Sequence, residues 1–272
     1  MKFVKLQIGA LFWICVIGAA RADESALLHQ VCMPGAMVSG TDVSDHQTST
    51  QWGTIKHAGI GFAFVKATEG INFKNVDFDR DWPQAKSAGI LRGGYHYFHP
   101  GDDPIQQASF YLSTVGRIEA GDLPPMLDWE VTDGIRSDLI VERAKIWLER
   151  VERATGKTPI IYTDPAYWRK LLSPSGFEKY PLFIADYVNK CPDVPAPWST
   201  WTFWQKGVGS LTGISGFADL DSFDGNLTAL QAFANPSYTL GGSSPTSVKS
   251  LFDPRHFPQP EGDFAGSEAF SQ

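Results

Sequence analysis

The sequence has few cysteines, little positive charge and, after residue 22, no long apolar run. Three of its 272 residues are Cys, and 23 Lys and Arg stand against 30 Asp and Glu, which gives a formal net charge of -7. So few cysteines exclude a small disulfide-rich scaffold. The acidic balance makes nucleic acid an unsuitable partner, because its phosphates would repel the protein. No membrane-spanning helix is expected beyond the first 22 residues.

Several catalytic signatures are also missing. The nearest approach to a nucleotide-binding loop, ATGKT at residues 154–158, has Val151 where such a loop needs its first glycine. Neither the G-x-S-x-G of serine hydrolases nor the H-E-x-x-H of zinc proteases occurs. His96 and His99 lie three residues apart on a predicted strand, so they would face opposite sides of it. We therefore expect no cofactor and no metal.

The first 22 residues have the pattern of a secretory signal peptide. Lys2 and Lys5 precede an apolar run that ends in Ala20-Arg21-Ala22, which fits an A-x-A cleavage site. We expect export to a periplasm or to the outside of the cell, with no membrane insertion once the leader is removed. Loss of the leader's three basic residues would move the formal charge from -7 to -10.

Two cysteines remain after removal of the leader, since Cys15 leaves with it. In an oxidising compartment, Cys32 and Cys191 can form one disulfide. Their separation of 159 residues says nothing about proximity, and Cys32 lies in a segment without clear periodicity. Sequence alone leaves the pairing open.

Composition divides the rest of the chain into three parts. Residues 23–37 show no clear period and are interpreted as an N-terminal extension. Residues 235–272 are rich in Pro, Gly and Ser, and such a tail cannot bury enough surface to order itself alone. Between them, residues 38–234 form the predicted domain. Whether the tail packs on this domain or holds a partner is left open.

Within the domain, short β-rich runs alternate with longer amphipathic ones. The predicted strands are 37–44, 61–70, 91–99, 123–131, 158–164, 181–187, 201–207 and 217–223. The predicted helices are 78–88, 104–115, 138–154, with Ser137 as N-cap, and 166–172. This order predicts an α/β fold, a modified TIM-like barrel of eight strands with fewer helices. Its later strands would lack full helical crossovers.

Carboxylates lie at the ends of six of the eight predicted strands, where a parallel barrel opens to its mouth. They are Asp42, Glu69, Asp128 with Glu130, Asp164, Asp186, and Asp219 with Asp221. Strand ends are often polar simply because they meet loops. The acids here have no matching Lys or Arg, however, and unpaired carboxylates that lie close together raise each other's pKa. We therefore predict a catalytic cluster.

The stretch LPPMLDWEV at residues 123–131 carries the sharpest pair. Asp128 and Glu130 are two apart on a strand and share one face, while Trp129 faces the other way. A pair of carboxyls in an open cleft suits glycoside cleavage. Glu130, with the longer reach, would donate the proton, and Asp128 would stabilise charge or orient the substrate. Aromatic side chains at strand ends would stack on sugar rings.

Taken in order, these motifs resemble glycoside hydrolase family 25, the N-acetylmuramidase lysozymes. The likeness is carried by GTDVSDHQ (40–47), FAFVKATEG (62–70), GGYHYFH (93–99), PPMLDWEV (124–131), PIIYTD (159–164), FIADY (183–187), FWQ (203–205) and ADLDSFDG (218–225). The resemblance implies hydrolysis of the β-1,4 bond between N-acetylmuramic acid and N-acetylglucosamine in peptidoglycan. It implies Glu130 as the acid, with Asp42, Asp128 and Asp219 as supporting aspartates. Asp221 stands where the family commonly has an amide.

The predicted substrate-binding residues are Glu69, Tyr95, Tyr162 and Trp204, and a monomer is expected. The resemblance leaves the nucleophile open between a protein carboxylate and the substrate's own acetamido oxygen. Two further readings of the chain also stay open. One is a peptidoglycan-binding module without activity, and the other is a metal-dependent hydrolase that uses the same acids.

Overall fold

A computed structural model describes residues 28–47, 49–188 and 190–235 of the chain. The strands in this part are β1 (Leu28–Gln30), β2 (Met37–Val43), β3 (Phe62–Glu69), β4 (Phe73–Lys74), β5 (Leu91–Tyr97), β6 (Met126–Asp128), β7 (Ile160–Thr163), β8 (Leu182–Ala185), β9 (Asp193–Pro195), β10 (Phe203–Gly209) and β11 (Ala218–Asp224). The helices are α1 (Trp52–His57), α2 (Phe78–Ser87), α3 (Pro104–Val115), α4 (Ser137–Thr155), α5 (Pro165–Lys170) and α6 (Leu227–Ala234). The predicted leader, residues 1–22, and the tail from residue 236 lie outside the described residues.

Eight strands close into a barrel. Their order is β2-β11-β10-β8-β7-β6-β5-β3, and pairing of β2 with β3 completes the ring. All neighbours are parallel except β11, which runs antiparallel to both β10 and β2. Among the described residues, no α-helix lies between α5 and α6, so β8, β10 and β11 follow one another through loops and the short strand β9. The predicted barrel with few helices and degenerate later crossovers is confirmed.

Helices α2 to α5 match the four helices predicted from sequence, whereas the pattern did not predict α1 or α6. Gly156 ends α4 in the left-handed conformation, with φ 68°, as a glycine after a helix is expected to do. Ser137, predicted as the N-cap of α4, is instead its first residue, and Arg136 holds the cap position without a capping side-chain hydrogen bond. Helix ends are uncertain by about one residue in any assignment from sequence. None of the helices formed by the described residues has both the length and the apolar character that crossing a membrane requires.

Large aromatic side chains fill the lower interior of the barrel. They come from alternate positions on successive strands, because side chains on a strand point to opposite faces in turn. The inner cluster includes Phe62, Phe64, Phe183, Phe203 and Phe223. Two glycines make room for them: an added Cβ would lie 2.2 Å from the Phe62 ring at Gly40 and 2.3 Å from the Phe64 ring at Gly93.

Helix α6 closes the bottom of this interior. Leu230 and Ala234 join the inner cluster, and the ring of Phe233 lies 5.6 Å from that of Phe203. A second, larger cluster lies between the strands and the other helices and contains Leu127, Trp129 and Trp147. The barrel interior is therefore dry below and can open only at the carboxyl ends of its parallel strands.

The segment before β2 is fastened to the barrel from Leu28 onward. Strand β1 pairs antiparallel with β9, and a disulfide joins Cys32 to Cys191. The indole N–H of Trp201 also donates to the carbonyl of Val31 at 2.9 Å. Part of the predicted extension 23–37 thus packs on the barrel, and the disulfide left open by sequence is present.

Removing this disulfide should lower stability without unfolding the protein. We expect the double variant Cys32→Ser/Cys191→Ser to lose about 2–4 kcal/mol of unfolding free energy, because the bridge restricts a very long loop in the unfolded chain. Urea unfolding of the variant and the oxidised wild type would measure the difference. Equal unfolding free energies would contradict this account.

Candidate active site

Polar side chains form a layer directly above the aromatic interior. On four strands, an inward-facing polar residue lies two positions from an inward-facing residue of the lower layer. The pairs are Gly40 and Asp42, Met126 and Asp128, Phe203 and Gln205, and Phe223 and Asp221. The same pleat that packs the core therefore directs these polar groups to one place.

Gln205 is the hub of this layer. Its side-chain oxygen accepts hydrogen bonds from the hydroxyls of Tyr162, at 2.9 Å, and Tyr187, at 2.8 Å. Its amide nitrogen donates to Oδ2 of Asp42 at 2.8 Å. Two hydroxyl donors on one side fix the orientation of the amide, which must then present its N–H to the carboxyl.

The carboxyl groups of Asp42 and Asp219 influence each other's pKa. Burial and then the negative charge of Asp219 raise the pKa of Asp42 well above its usual range. The interaction between the two carboxyls acts in opposite directions on them, since it raises the pKa of Asp42 and lowers that of Asp219. Asp42 is therefore the member of the pair that keeps its proton to the higher pH.

Asp128 and Glu130 both belong to the mouth of the barrel, as their spacing predicts. Trp129 between them faces outward and packs edge-on against Trp168, with ring centroids 5.2 Å apart. Burial and then the charge of Glu130 raise the pKa of Asp128 well above its usual range. The pKa of Glu130 is raised chiefly by burial, although a hydrogen bond from Tyr97 lowers it. A carboxyl that keeps its proton above the usual range can act as an acid.

Glu69 is not an unpaired acid. Lys66 donates to its Oε2 at 2.6 Å, and the Nε2 of His99 lies 3.1 Å from its Oε1. The other ring nitrogen of His99 lies 3.1 Å from a carboxylate oxygen of Asp133. The expectation that the acids of the mouth lack matching cations is therefore wrong at this position. Lys66 also lowers the pKa of Asp128 and of Glu130, though less than burial raises them.

The predicted aromatic residues do not all reach the mouth. Tyr162 does, and it bonds Gln205. Tyr95 faces inward but is buried one layer below Tyr97, among the residues of the inner cluster. Trp204 faces outward, packs in the outer cluster against Trp201 and donates its indole N–H to the carbonyl of Asp186 at 2.8 Å.

The sequence pattern predicts Trp204 at the mouth of the barrel, but in the structure Gln205 lies there. The two are adjacent on β10, so a pleated strand must present them to opposite faces. Phe203 and Trp204 are both apolar, so the sequence does not show which of them faces the interior of the barrel. If Phe203 is known to face inward, alternation places Gln205, two residues later, on the same inward face.

The two histidines of the third predicted strand lie on opposite faces, as expected. His96 is fully buried between Thr68 and Gln107, to which its ring nitrogens bond at 2.8 and 3.0 Å. Burial lowers the pKa of His96 to about 4, so it is neutral and structural. Among the described residues, no group of three or more His, Cys, Asp or Glu side chains has the arrangement of a metal site.

An open cleft of about 560 Å³ lies at the mouth of the barrel, and Glu130 lines it. Tyr162 and Tyr187, the two hydroxyl donors to Gln205, line it as well. Other parts of the lining come from Arg169 of α5 and from Leu28 of the fastened N-terminal strand, neither of which sequence indicated. Because the cleft is open to the surface, a segment of an extended polymer can enter it.

Asp221 lies in the polar layer beside Asp42 without taking part in its network. It is 1% exposed, and neither carboxyl oxygen has a hydrogen-bond partner among the described residues. Burial, followed by the charges of Asp42 and Asp219, raises the pKa of Asp221 well above its usual range. The fold therefore retains this proton at pH values where a free aspartic acid would have lost it.

Comparison with known proteins places the chain among hydrolases of polysaccharide. The family profile described as "Glycosyl hydrolases family 25" matches residues 41–213. Lysozyme M1 of Streptomyces globisporus is 34% identical over 210 residues, which cover 73% of this chain and 71% of that protein. An N,O-diacetylmuramidase of Arthroderma benhamiae is 29% identical over 234 residues, covering 81% of this chain and 97% of that protein.

A solved structure has the same architecture. The bacterial lysozyme from Streptomyces coelicolor superposes with a TM-score of 0.70 at 34% identity. The match covers 73% of this chain and 97% of that one. The barrel described above is therefore the fold of a known lysozyme over nearly that protein's whole length.

Replacing Asp221 by Asn should stabilise the protein at neutral pH. A carboxyl whose folded pKa lies above the usual 3.8 loses more protons on unfolding, so its contribution falls as pH rises between those two values. Asn has no proton to lose on unfolding, so the stability of the variant does not fall in this way as pH rises. We expect Asp221→Asn to gain about 1 kcal/mol or more at pH 7, because a pKa raised well above its usual value corresponds to an unfolding free energy of that order.

Urea unfolding at pH 4 and pH 7 would measure this difference. The gain should be small at the lower pH, where both side chains are neutral. Asp224→Asn, at the partly exposed end of the same strand, should change stability much less and serves as the control. A gain that is equal at both pH values would contradict the titration of Asp221.

Proposed function

The chain belongs to glycosyl hydrolase family 25, and on that premise we propose that it is an exported muramidase that cleaves peptidoglycan with Glu130 as its acid. It is a glycoside hydrolase by family. Its relatives are lysozymes and muramidases, which supports peptidoglycan as the substrate. The role of Glu130 rests on its position: its carboxyl has a raised pKa, lines an open cleft, and lies close enough to Asp42, Asp128 and Asp219 to interact with their charges.

Glu130 would donate its proton to the glycosidic oxygen as the bond breaks. Its raised pKa keeps the proton on the carboxyl at pH values where a free glutamic acid would have lost it. After the first sugar leaves, the carboxylate can take a proton from the attacking water. The same group then serves as acid and base in successive steps.

Asp128 would hold the sugar at the reacting carbon. The residue is 8% exposed at the mouth, while its Oδ1 is buried and has no hydrogen-bond partner among the described residues. Whether Asp128 itself attacks the sugar carbon or orients the substrate's acetamido group for that attack depends on where the sugar lies. In both cases its position two residues before Glu130 places it on the same face of the strand.

The Asp42–Asp219 pair would supply negative charge near the developing positive charge of the sugar. A proton retained by Asp42 would let the pair provide that charge without the repulsion of two adjacent carboxylates. Gln205 ties the pair to Tyr162 and Tyr187. Those two hydroxyl groups also lie beside the cleft, so binding of the sugar and the charge of the pair are coupled through one amide.

Export is supported by the pattern of residues 1–22 and by the disulfide. Lys2, Lys5 and the A-x-A site fit a cleaved leader. The Cys32–Cys191 bridge is of the kind that persists in a periplasm or outside the cell. A peptidoglycan substrate is also found in those compartments.

The Glu130→Gln variant tests the proposal most directly. It should fold and still sediment with purified peptidoglycan, yet release soluble fragments about a hundredfold to ten-thousandfold more slowly, the usual loss for a missing general acid. Borohydride reduction and mass spectrometry of the fragments from the wild type should show reduced N-acetylmuramic acid at the new ends.

Glu142→Gln provides the matched control, because Glu142 is exposed on α4 and has no ion pair with a described residue. It should leave the rate unchanged. Full activity in Glu130→Gln would refute the role of that residue. Reduced N-acetylglucosamine at the new ends would show that a different bond is cut.

A further inference from the structure

One positive charge lies in an otherwise acidic cleft. Glu130, Asp164, Asp186 and Asp193 all contribute to the lining. Among the described residues that line the cleft, Arg169 alone carries a positive charge. Ionised acids repel an anionic polymer, so a basic side chain here changes which part of such a polymer can be held.

The guanidinium of Arg169 is available. It makes no ion pair and no side-chain hydrogen bond with any described residue. Two acids of the same cleft accept hydrogen bonds from the backbone. Oδ1 of Asp164 accepts from the N–H groups of Ala166 and Tyr167 at 2.8 and 2.9 Å. Oδ2 of Asp186 accepts from the N–H of Asp193 at 2.8 Å. No described residue therefore forms an ion pair with the positive charge of Arg169.

The backbone that carries Arg169 is firmly held. Tyr167 donates its hydroxyl to the carbonyl of Val131 at 2.6 Å, one residue beyond Glu130. Trp168 is fully buried, and its indole N–H donates to the carbonyl of Ala196 at 2.7 Å. Both neighbours fix α5 to the barrel, so the backbone of Arg169 keeps a constant position relative to Glu130. A fixed backbone reduces the entropy lost when the side chain is ordered on binding.

The two sugars of peptidoglycan differ in one relevant respect. The muramyl unit carries a lactyl ether whose carboxyl is either free or amide-linked to a peptide stem with carboxylates of its own. N-acetylglucosamine has no such group. Arginine matches a carboxylate with two parallel N–H···O bonds. Building on the proposed function, we propose that Arg169 binds a carboxylate borne by the muramyl unit, and that this contact gives the cleft its preference for peptidoglycan over uncharged glycans.

Steady-state kinetics of Arg169→Gln on three soluble substrates tests this proposal. The first is glycan strands with intact stems, the second is strands freed of stems by an amidase, and the third is the freed strands after carbodiimide coupling to methylamine. We expect KM to rise about tenfold on at least one charged substrate, as loss of a charged hydrogen-bond pair would cause, while kcat changes little. The capped strands should show no difference between variant and wild type.

Lys170→Gln is the matched control, because it removes the same charge one residue further on and Lys170 does not line the cleft. It should leave KM unchanged. If KM for Arg169→Gln rises only on the strands freed of stems, the partner of Arg169 is the lactyl carboxylate. If KM rises only on the intact strands, the partner is a carboxylate of the peptide stem. Arg169→Lys should recover only part of the affinity, since an ammonium cannot form the paired contact.

Unchanged KM on both charged substrates, or equal rises for Arg169→Gln and Lys170→Gln, would overturn the role of Arg169. Neither result would affect the proposed muramidase. Failure of the wild type to cleave any of the strands would instead overturn the proposed function itself.

Discussion

The dry aromatic layer inside the barrel is the constraint on which the rest of the site depends. Phe62, Phe203 and Phe223 fill the interior, and α6 closes it from below. Every polar side chain placed above this layer meets water only through the mouth. Burial is accordingly the first cause of the raised pKa of Asp42, Asp128, Glu130 and Asp219. The charges of neighbouring acids raise the pKa of Asp42, Asp128 and Glu130 further. Without a dry floor, the same acids would be ordinary surface carboxylates.

The buried carboxyls are stabilised in different ways: some keep a proton, and others accept a hydrogen bond or pair with a cation. Asp42 keeps its proton to a higher pH than Asp219, Gln205 donates to Asp42, and Lys66 forms an ion pair with Glu69 at the rim. Asp221 receives no such help and must keep its own proton. Buried polar groups of this kind lower stability unless they are bonded, which is why they gather where chemistry requires them. The cleft extends this pattern outward with acids bonded to backbone and a single basic residue.

Sequence predicted the barrel and its acids because both follow from a period of two. Alternation places Asp128 and Glu130 on one face and Trp129 on the other, and the eight β-rich runs are all strands. What sequence could not predict depends on contacts between distant segments. The cation beside Glu69 comes from Lys66 on the same strand, but the inward turn of Gln205 and the approach of Leu28 to the cleft require the closed barrel and the disulfide. Where two apolar residues are adjacent, as at Phe203 and Trp204, the pattern does not say which one faces the core.

A site-resolved titration of Glu130 tests the central claim most directly. The side-chain carboxyl carbon can be followed by ¹³C NMR across pH, and its signal identified by its absence from the Glu130→Gln spectrum. The account predicts a midpoint above the usual 4.5 of a glutamic acid. A midpoint at or below 4.5 would contradict it, because the carboxyl would then have lost its proton before it could serve as the acid.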